Sequence, residues 1–444
     1  MSPQTACPLK ARRADWRADG MLTFCAFLIL FLLCGLPVAF SLGFAGIMGM
    51  LLFAGGSAAF TQLPIIAYKS LDDFVLTAVP LYVLMSQILL TGKVGSDLYE
   101  VAAKWFRHLP GGLGVATILA CAVFAAISGS SVATAVTIGA VAIPEMLSRG
   151  YDRKLVLGSV AAGGTLGILI PPSIPMILYG SVTGESVGEL FMSGVVPGVV
   201  LTIMFIAIIV LRSRSLPRQE PAPWSERIAV LRRSIWGLFL PVLVVGGIYA
   251  GIFTPTEAAA VGTVYSLIIT FLLYRTLTLR DLPAILKETV KTTTMIFAII
   301  IGAMIFGFVL TVLQLPQHMT ELVTALESNR WFVFIAINLL LLILGCFLET
   351  ISIILITLPI LYPVILKLGF DPIWFSVILV VNMELALITP PVGMDLFVLQ
   401  GIAKDSNMAE ISRGVYPFAL AMVAVIAVVA FFPALALWLP QLLK

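Results

Sequence analysis

The sequence predicts an all-α polytopic membrane protein with two inverted repeats, each containing a re-entrant hairpin and a broken helix. The 444 residues are 60% hydrophobic and 11% charged, with a mean hydropathy of +1.09, whereas about a quarter of the residues in a soluble domain are charged. Apolar runs long enough to cross about 30 Å of hydrocarbon recur along the whole chain. Two pairs of adjacent prolines, one in each half of the chain, interrupt two of these runs.

The basic tail 1–20 and the apolar run after it are not expected to be a cleavable signal, because the run is too long for a signal core and no clear cleavage site follows. An amphipathic stretch at 59–74 precedes the third span, and the basic loop 212–233 divides the chain. Membrane spans are predicted at 21–40, 41–56, 75–91, 190–211, 234–250, 254–274, 288–313 and 415–439.

Two pairs of short apolar arms predict re-entrant hairpins. The arms 113–127 and 132–147 meet at the polar sequence SGSS, and neither arm comfortably crosses the bilayer alone. The arms 331–348 and 351–366 meet in the same way at Glu349-Thr350. Each pair is therefore expected to enter the membrane and return to the face from which it came.

The proline pairs belong to an internal repeat. Pro171-Pro172 interrupts the apolar segment 155–184, and Pro390-Pro391 interrupts the segment 373–403. Three further pairs of residues match at the same offset as the proline pairs, namely Pro144 with Pro363, Gly150 with Gly369 and Asp152 with Asp371. A repeat of this length in a membrane protein indicates duplicated halves. Because four spans separate the two broken segments, the segments run in opposite directions.

The basic residues support this topology, since cytoplasmic loops are enriched in Lys and Arg. The loops assigned to the cytoplasm carry Lys93, Lys104, Arg107, Arg149, Arg153, Lys154, Arg212, Arg214, Arg218, Arg227, Arg232, Arg233, Arg275, Arg280, Lys287, Lys291, Lys404 and Arg413. The outer loops carry only Lys69, Arg330, Lys367 and Lys444. The basic residues before residue 20 disagree with this count, so the side of the N-terminus stays open.

A proline pair splits a helix, because proline lacks an N–H donor and clashes with the preceding turn. Unpaired backbone groups in hydrocarbon cost several kcal/mol each, so such a break persists only where protein or a hydrated cavity covers it. The first half-helix ends in free carbonyls that suit Na⁺, and the second begins with free N–H groups that suit a carboxylate. Two pairs at an equal offset favour such a binding role over a mere kink.

Polar residues at the tips and breaks are candidate ligands. The first tip carries Ser128, Gly129, Ser130, Ser131 and Thr134, and the second carries Glu349, Thr350 and Ser352. Additional candidate ligands in the broken segments are Gly163, Gly164, Thr165, Ser173, Asn382 and Thr389, and Glu384 and Asp395 flank the second break. Ionisable groups at membrane depth are functional by default. The chain contains no Walker A sequence and no CxxC. Its net charge is +3 and its basic residues lie in short loops, which is not a nucleic-acid signature.

Three stretches resemble the large membrane subunit of tripartite ATP-independent periplasmic (TRAP) transporters: GIFTPTEAAAVG from Gly251, GTLGILIPPSIPMILYG from Gly164 and LITPPVGMDLFVLQG from Leu387. The resemblance implies a bacterial inner-membrane permease for Na⁺-driven uptake of carboxylates such as dicarboxylates or sialic acids. It also implies two partners, a small four-helix membrane subunit and a periplasmic solute-binding protein, and no cofactor beyond Na⁺ as coupling ion. Glu257 is placed to cap the helix that begins after Pro255.

The resemblance further implies a fold like that of the ion transporter superfamily, in which a transport domain moves as an elevator against a scaffold. The scaffold comprises 21–111 and 186–330, the transport repeats are 112–185 and 331–405, and a C-terminal helix occupies 406–444. One Na⁺ is expected at Ser128, Gly129, Ser131, Gly167 and Pro171, and another at Glu349, Thr350, Ser352, Thr389 and Gly393. The substrate is expected between the tips, at Ser130, Ser131, Thr134, Ser173, Thr350 and Asp395.

Two other functions stay open on the sequence. A stand-alone Na⁺- or H⁺-coupled carboxylate carrier would transport without a soluble binding protein. An intramembrane enzyme would use Glu349, Glu384 or Asp395 as catalytic carboxylates and would convert its substrate. The chain is expected not to be an enzyme, since a single active centre seldom needs an inverted copy. Glu349 and Asp395 also depart from the family, which often has aspartate and asparagine there, so the charge at Asp395 is expected to shift ion or substrate preference.

Overall fold

The computed structural model describes Gly20 and residues 23–214, 220–325, 329–403 and 405–442. Within these ranges the chain is helical and contains no β-strand. Nine helical segments of the described residues are long and apolar enough to cross a membrane. Two of them, Ser131–Ser148 and Thr350–Lys367, are hairpin arms that were predicted to be too short to cross alone. The prediction of an all-α polytopic membrane protein is confirmed.

The helices follow one another with short connections, among them 3₁₀ turns at Gly56–Gln62 and Phe74–Thr77 and a π-helical turn at Ile269–Leu273. The α-helices are α1 Thr23–Leu33, α2 Val38–Phe53, α3 Leu63–Leu71, α4 Ala78–Thr91, α5 Val94–Phe106, α6 Gly112–Ser128, α7 Ser131–Ser148, α8 Arg153–Leu169, α9 Ile174–Thr183, α10 Val187–Arg212, α11 Trp224–Tyr249, α12 Pro255–Ile268, α13 Leu282–Val312, α14 Leu315–Ala325, α15 Arg330–Gly345, α16 Thr350–Lys367, α17 Pro372–Leu387, α18 Met394–Ile402, α19 Met408–Phe431 and α20 Ala434–Leu442.

The internal repeat governs the helix boundaries. Helices α7 and α16 are both 18 residues long, and they start at positions 131 and 350, the same offset that separates the proline pairs. The loop after each contains a glycine in the left-handed region, Gly150 with φ 78° and Gly369 with φ 72°. Asp152 and Asp371 then accept N–H bonds as the N-caps of α8 and α17. Glycine ends a helix and aspartate starts one for separate reasons, so their recurrence at one offset reflects duplicated structure.

Residue contacts divide the chain into two compact units. The first unit comprises Met1–Asp73, Thr294–Val333 and Ile351–Phe370. The second comprises Phe74–Thr293, Phe334–Thr350 and Asp371–Lys444, and it holds the first hairpin and both broken helices. The second hairpin, α15 with α16, is divided between the units.

The core of the second unit is built around α8, whose residues are all buried from Leu155 to Leu169. A helix that is apolar on every side is typical of such a central position. Its backbone touches that of α19: a Cβ on Gly158 would lie 2.2 Å from the carbonyl oxygen of Gly414, and a Cβ on Gly414 would lie 2.2 Å from that of Lys154. Only glycine at both positions permits this crossing.

Several predicted boundaries were wrong, including the start of α13 at Leu282 rather than 288, and three of the errors lie at a proline. The first two spans were divided at 40/41, but α1 ends at Leu33 and Pro37 directly precedes α2. The last span was predicted as 415–439, but α19 begins at Met408 and Pro433 separates it from α20. The basic loop was predicted to reach 233, but α11 begins at Trp224, after Pro223. The residue before a proline disfavours the helical conformation, so these prolines mark helix boundaries.

The expected cap on α12 is confirmed. The hydroxyl of Thr254 accepts the N–H of Glu257 at 3.3 Å, and the Glu257 carboxylate accepts the N–H of Thr254 at 2.9 Å. This reciprocal pair is a capping box, which satisfies two donors at the start of the helix. The motif GIFTPTEAAAVG therefore has a structural role at Glu257.

The crossing of α8 and α19 generates a prediction. Gly158→Ala forces a Cβ against the Gly414 carbonyl, and overpacking of this kind destabilises a core by about 1–3 kcal/mol. Gly246→Ala on α11 is the matched control, because its nearest new neighbour would be 3.9 Å away. Thermal unfolding of the purified protein should show a lower midpoint for the first variant and a wild-type or higher midpoint for the second. Equal midpoints would contradict the crossing.

Candidate functional site

The first hairpin turns within two residues. Helix α6 ends at Ser128, and Gly129 follows in the left-handed conformation with φ 63°. Ser130 is extended and caps α7, accepting the N–H of Ala133 at 3.4 Å. A glycine at the left-handed position and a serine at the cap are the residues that such a turn favours.

A cluster of buried hydroxyl groups lies at this tip. Ser128 and Thr134 are 1% and 0% exposed, and their hydroxyl oxygens are 2.9 Å apart. Thr134 also donates to the carbonyl of Ser130 at 2.8 Å. The tip therefore presents two hydroxyl oxygens and a carbonyl oxygen close together, a set of hard ligands that suits an alkali cation.

The first break lies between α8 and α9, where Ile170 and Ser173 are extended and the Pro171–Pro172 peptide is cis. Pro171, Pro172 and Ser173 are buried. Ser173 caps α9, accepting the N–H of Met176 at 3.4 Å, and its hydroxyl donates to the carbonyl of Ile168. The hydroxyl predicted to bind substrate thus also shapes the break.

The structure brings the first tip and the first break together. A Cβ on Gly129 would lie 2.7 Å from the Pro172 carbonyl oxygen, and a Cβ on Gly167 would lie 2.5 Å from the Ser130 carbonyl oxygen. The two backbones are therefore in direct contact. This contact places the predicted Na⁺ ligands Ser128–Ser131 beside Gly167–Pro171.

The second tip and break differ from the first. Cys346–Glu349 joins α15 to α16, and Ile388–Gly393 joins α17 to α18. Pro390, Pro391 and Val392 are exposed, unlike the prolines of the first break. Gly393 is left-handed with φ 55°, and the Thr389 hydroxyl donates back to the carbonyl of Leu385.

The predicted ligands of the second Na⁺ are not joined to one another. Thr350 and Ser352 are 6% and 0% exposed, and the Ser352 hydroxyl has no hydrogen-bond partner. In the described part of the chain, no side-chain hydrogen bond links Glu349 or Thr350 to residues 389–393. This site stays a prediction.

The clearest link between the repeats is a hydrogen bond from the first tip to the second broken helix. The hydroxyl of Ser131 donates to Oδ1 of Asp395 at 3.3 Å. Asp395 lies in the first turn of α18 and is 0% exposed, and Ser131 is 5% exposed. Two predicted substrate ligands from opposite repeats are thus brought together.

The sequence indicated Asn382 as a candidate ligand but did not indicate its contact with α15. Asn382 on α17 donates to both the backbone carbonyl and the side-chain oxygen of Asn338 on α15, each at 3.0 Å. Asn338 interrupts the apolar arm FVFIAINLLLLIL, and an amide in such a run was the available signal. The contact ties the first arm of the second hairpin to the second broken helix.

Comparisons with known proteins agree with this architecture. The family model for the DctM component of tripartite ATP-independent periplasmic transporters matches residues 25–435. The C4-dicarboxylate TRAP transporter large permease protein of Pseudomonas aeruginosa is 42% identical over 403 residues, covering 90% of this chain and 94% of that protein. Its counterpart in Rhodobacter capsulatus is 39% identical, with coverages of 94% and 98%.

More distant proteins share the fold over a similar length. The sialic acid TRAP transporter large permease protein of Vibrio cholerae is 34% identical, covering 93% of this chain and 96% of that protein. The crystal structure of the YdaH transporter of Alcanivorax borkumensis has a TM-score of 0.58 at 16% identity, covering 95% of this chain and 98% of that one. Because the YdaH sequence is only 16% identical, this structural similarity shows the fold alone.

The contact between tip and break generates a second prediction. Gly129→Ala combines the cost of a left-handed alanine, about 1–2 kcal/mol, with a clash against the Pro172 carbonyl. Gly184→Ala is the matched control, because Gly184 is also left-handed, with φ 79°, but a Cβ there meets nothing within 4 Å. Unfolding midpoints of the purified variants should fall for both, and further for Gly129→Ala. An equal loss would show that the tip does not touch the break.

Proposed function

This chain belongs to the DctM family, the large permease subunits of TRAP transporters, and we propose that it couples Na⁺ entry to the import of an organic carboxylate. As a family member it is a multi-pass protein of the bacterial inner membrane, and it transports its substrate rather than converting it. The Na⁺ coupling, the identity of the carboxylate and the partners belong to the proposal.

One observation carries the proposal: the first tip lies against the first break, so that peptide groups, hydroxyls and the ends of two half-helices converge at one buried place. The last carbonyls of α8 have no partner within that helix, and the first N–H groups of α9 have none within theirs. A cation and an anion can therefore be held by backbone groups of the same break.

The first Na⁺ is assigned to the carbonyls and hydroxyls of the tip and break. Ser128, Gly129 and Ser131 supply the tip side, and Gly167 and Pro171 supply the other side, across the direct contact described above. The second Na⁺ is assigned to the equivalent region of the second repeat. Its ligands are Glu349, Thr350, Ser352, Thr389 and Gly393.

The carboxylate substrate is assigned to the region between the tips. Its ligands are Ser130, Ser131, Thr134, Ser173, Thr350 and Asp395, with the N–H groups at the start of α9. The predicted broken segments 155–184 and 373–403 contain no Lys or Arg, so these donors replace a buried cationic side chain. The relatives of 38–42% identity are named for C4-dicarboxylates, and this class is therefore the first to test.

The proposal includes two partners and a movement. A small membrane subunit of four helices would complete the membrane complex, and a periplasmic binding protein would deliver the carboxylate. The hairpins and broken helices would carry the substrate as an elevator against the remaining helices. The names of the relatives support a transporter of several kinds of subunit, since each is called its large permease protein.

The test is reconstitution in proteoliposomes with the small membrane subunit and the binding protein. An inward Na⁺ gradient should produce accumulation of labelled succinate or malate, and replacing Na⁺ by choline should reduce uptake at least tenfold. Omitting the binding protein should abolish uptake. Accumulation that ignores Na⁺ would remove the coupling, and full uptake without the binding protein would identify a stand-alone carrier.

The tip hydroxyls provide a further test. Ser131→Ala and Thr350→Ala each remove one proposed Na⁺ ligand, and loss of a hydrogen bond or ligand worth about 1.4 kcal/mol raises the half-saturating Na⁺ concentration about tenfold. Ser159→Ala is the control, because this buried serine on α8 donates only to the carbonyl of Val156. Uptake measured over a range of Na⁺ concentrations should show this rise in the two tip variants and a wild-type value in Ser159→Ala. Wild-type Na⁺ dependence in both tip variants would refute the ligand assignment.

A further inference from the structure

Two carboxyl groups in the second repeat are buried with few partners. Glu384 near the end of α17 and Asp395 at the start of α18 lie on either side of the second break, and each is 0% exposed. Both oxygens of Glu384 and Oδ2 of Asp395 have no hydrogen-bond partner. Among the described residues, no Lys, Arg or His forms an ion pair with either group. Three carboxyl oxygens therefore point into the protein interior unpaired.

The repeat shows that these carboxyls are not required by the fold. At the offset that relates the two proline pairs, Glu384 corresponds to Thr165 and Asp395 corresponds to Met176. Thr165 donates to the carbonyl of Ala162 within its own helix, and Met176 is a fully buried apolar side chain. The same broken-helix architecture is thus built in the first repeat with neutral residues. The acid pair is an addition specific to the second repeat.

Burial of two uncompensated carboxylates at membrane depth is strongly unfavourable. Each charge loses its hydration, and hydrocarbon does not replace it. Protonation would remove the charge of each group but would leave both oxygens of Glu384 without a hydrogen-bond partner. A metal cation instead coordinates several oxygens at once. Carboxylate and hydroxyl oxygens are the ligands that hard cations prefer.

We propose that Glu384 and Asp395 hold a third Na⁺, distinct from the two Na⁺ assigned to the tips. The hydroxyl of Ser131 already donates to Asp395 at 3.3 Å, and its oxygen is a further ligand on the Asp395 side. The site joins the first tip to the second broken helix, so its occupancy stabilises the contact between the repeats. The inference rests on the proposed function, because a coupling ion is useful only to a Na⁺-driven carrier.

This assignment also explains how an anionic substrate is accepted near Asp395. A bare carboxylate there would repel a dicarboxylate, whereas a carboxylate neutralised by Na⁺ does not. Substrate binding and occupancy of this site therefore favour each other. Asp395 therefore meets the substrate with its charge already neutralised by the cation.

The experiment uses Glu384→Gln and Asp395→Asn in the reconstituted complex, with Glu288→Gln and Asp405→Asn as matched controls at exposed positions. The number of Na⁺ ions carried per carboxylate is obtained from the reversal potential of uptake at set Na⁺ gradients. We expect this number to fall by one in both buried variants and to stay at the wild-type value in both controls. An unchanged number in the buried variants overturns the inference.

Failure of the proposed function is distinguishable, because the wild-type complex would then show no Na⁺-driven uptake at all. A variant that loses dependence on external pH, with the Na⁺ number unchanged, would identify a proton in place of Na⁺ and would also overturn the inference. If both buried variants fail to fold, a density map of the wild-type protein tests the site instead. A density map recorded in Na⁺ should contain a peak between the two carboxyls that is lost in choline, and a map without that peak rejects the site.

Discussion

The structure depends on the cost of leaving peptide groups unpaired inside a membrane. Hydrocarbon offers no hydrogen bonds, so a helix can be interrupted there only if other protein groups cover the interruption. Pro171–Ser173 is buried, and the carbonyl of Pro172 lies directly against Gly129. The hairpin and the broken helix are therefore one structural unit, since neither could exist in the bilayer without its partner.

Duplication supplies two such units but does not keep them identical. The glycine and aspartate that join hairpin to broken helix recur with the same conformations in both repeats. The first break is buried within the second compact unit, whereas residues 390–392 are exposed. The first repeat is neutral where the second carries Glu384 and Asp395. The duplicated turns and caps thus recur in both repeats, whereas the side chains near the breaks and the exposure of the proline pairs differ between them.

The sequence predicted the fold class, the repeat and the tip positions, because proline pairs, short arms and polar tips are local signals with direct structural causes. It failed at Pro37 and Pro433, where apolar composition runs unchanged across a turn and only the single proline marks the boundary. It could not predict that Ser131 meets Asp395, since these residues are far apart in the chain and their contact depends on how the helices pack. The contact between Asn338 and Asn382 was missed for the same reason.

The crossing of α8 and α19 limits how this chain can change over evolutionary time. Most tight packings tolerate a larger side chain once a neighbouring one becomes smaller. Gly158 and Gly414 already lack side chains, and each faces a carbonyl of the opposing backbone. A smaller side chain on the opposing helix could not make room, so we expect both positions to remain glycine. Because the two backbones themselves make this contact, α8 and α19 are packed together as one pair.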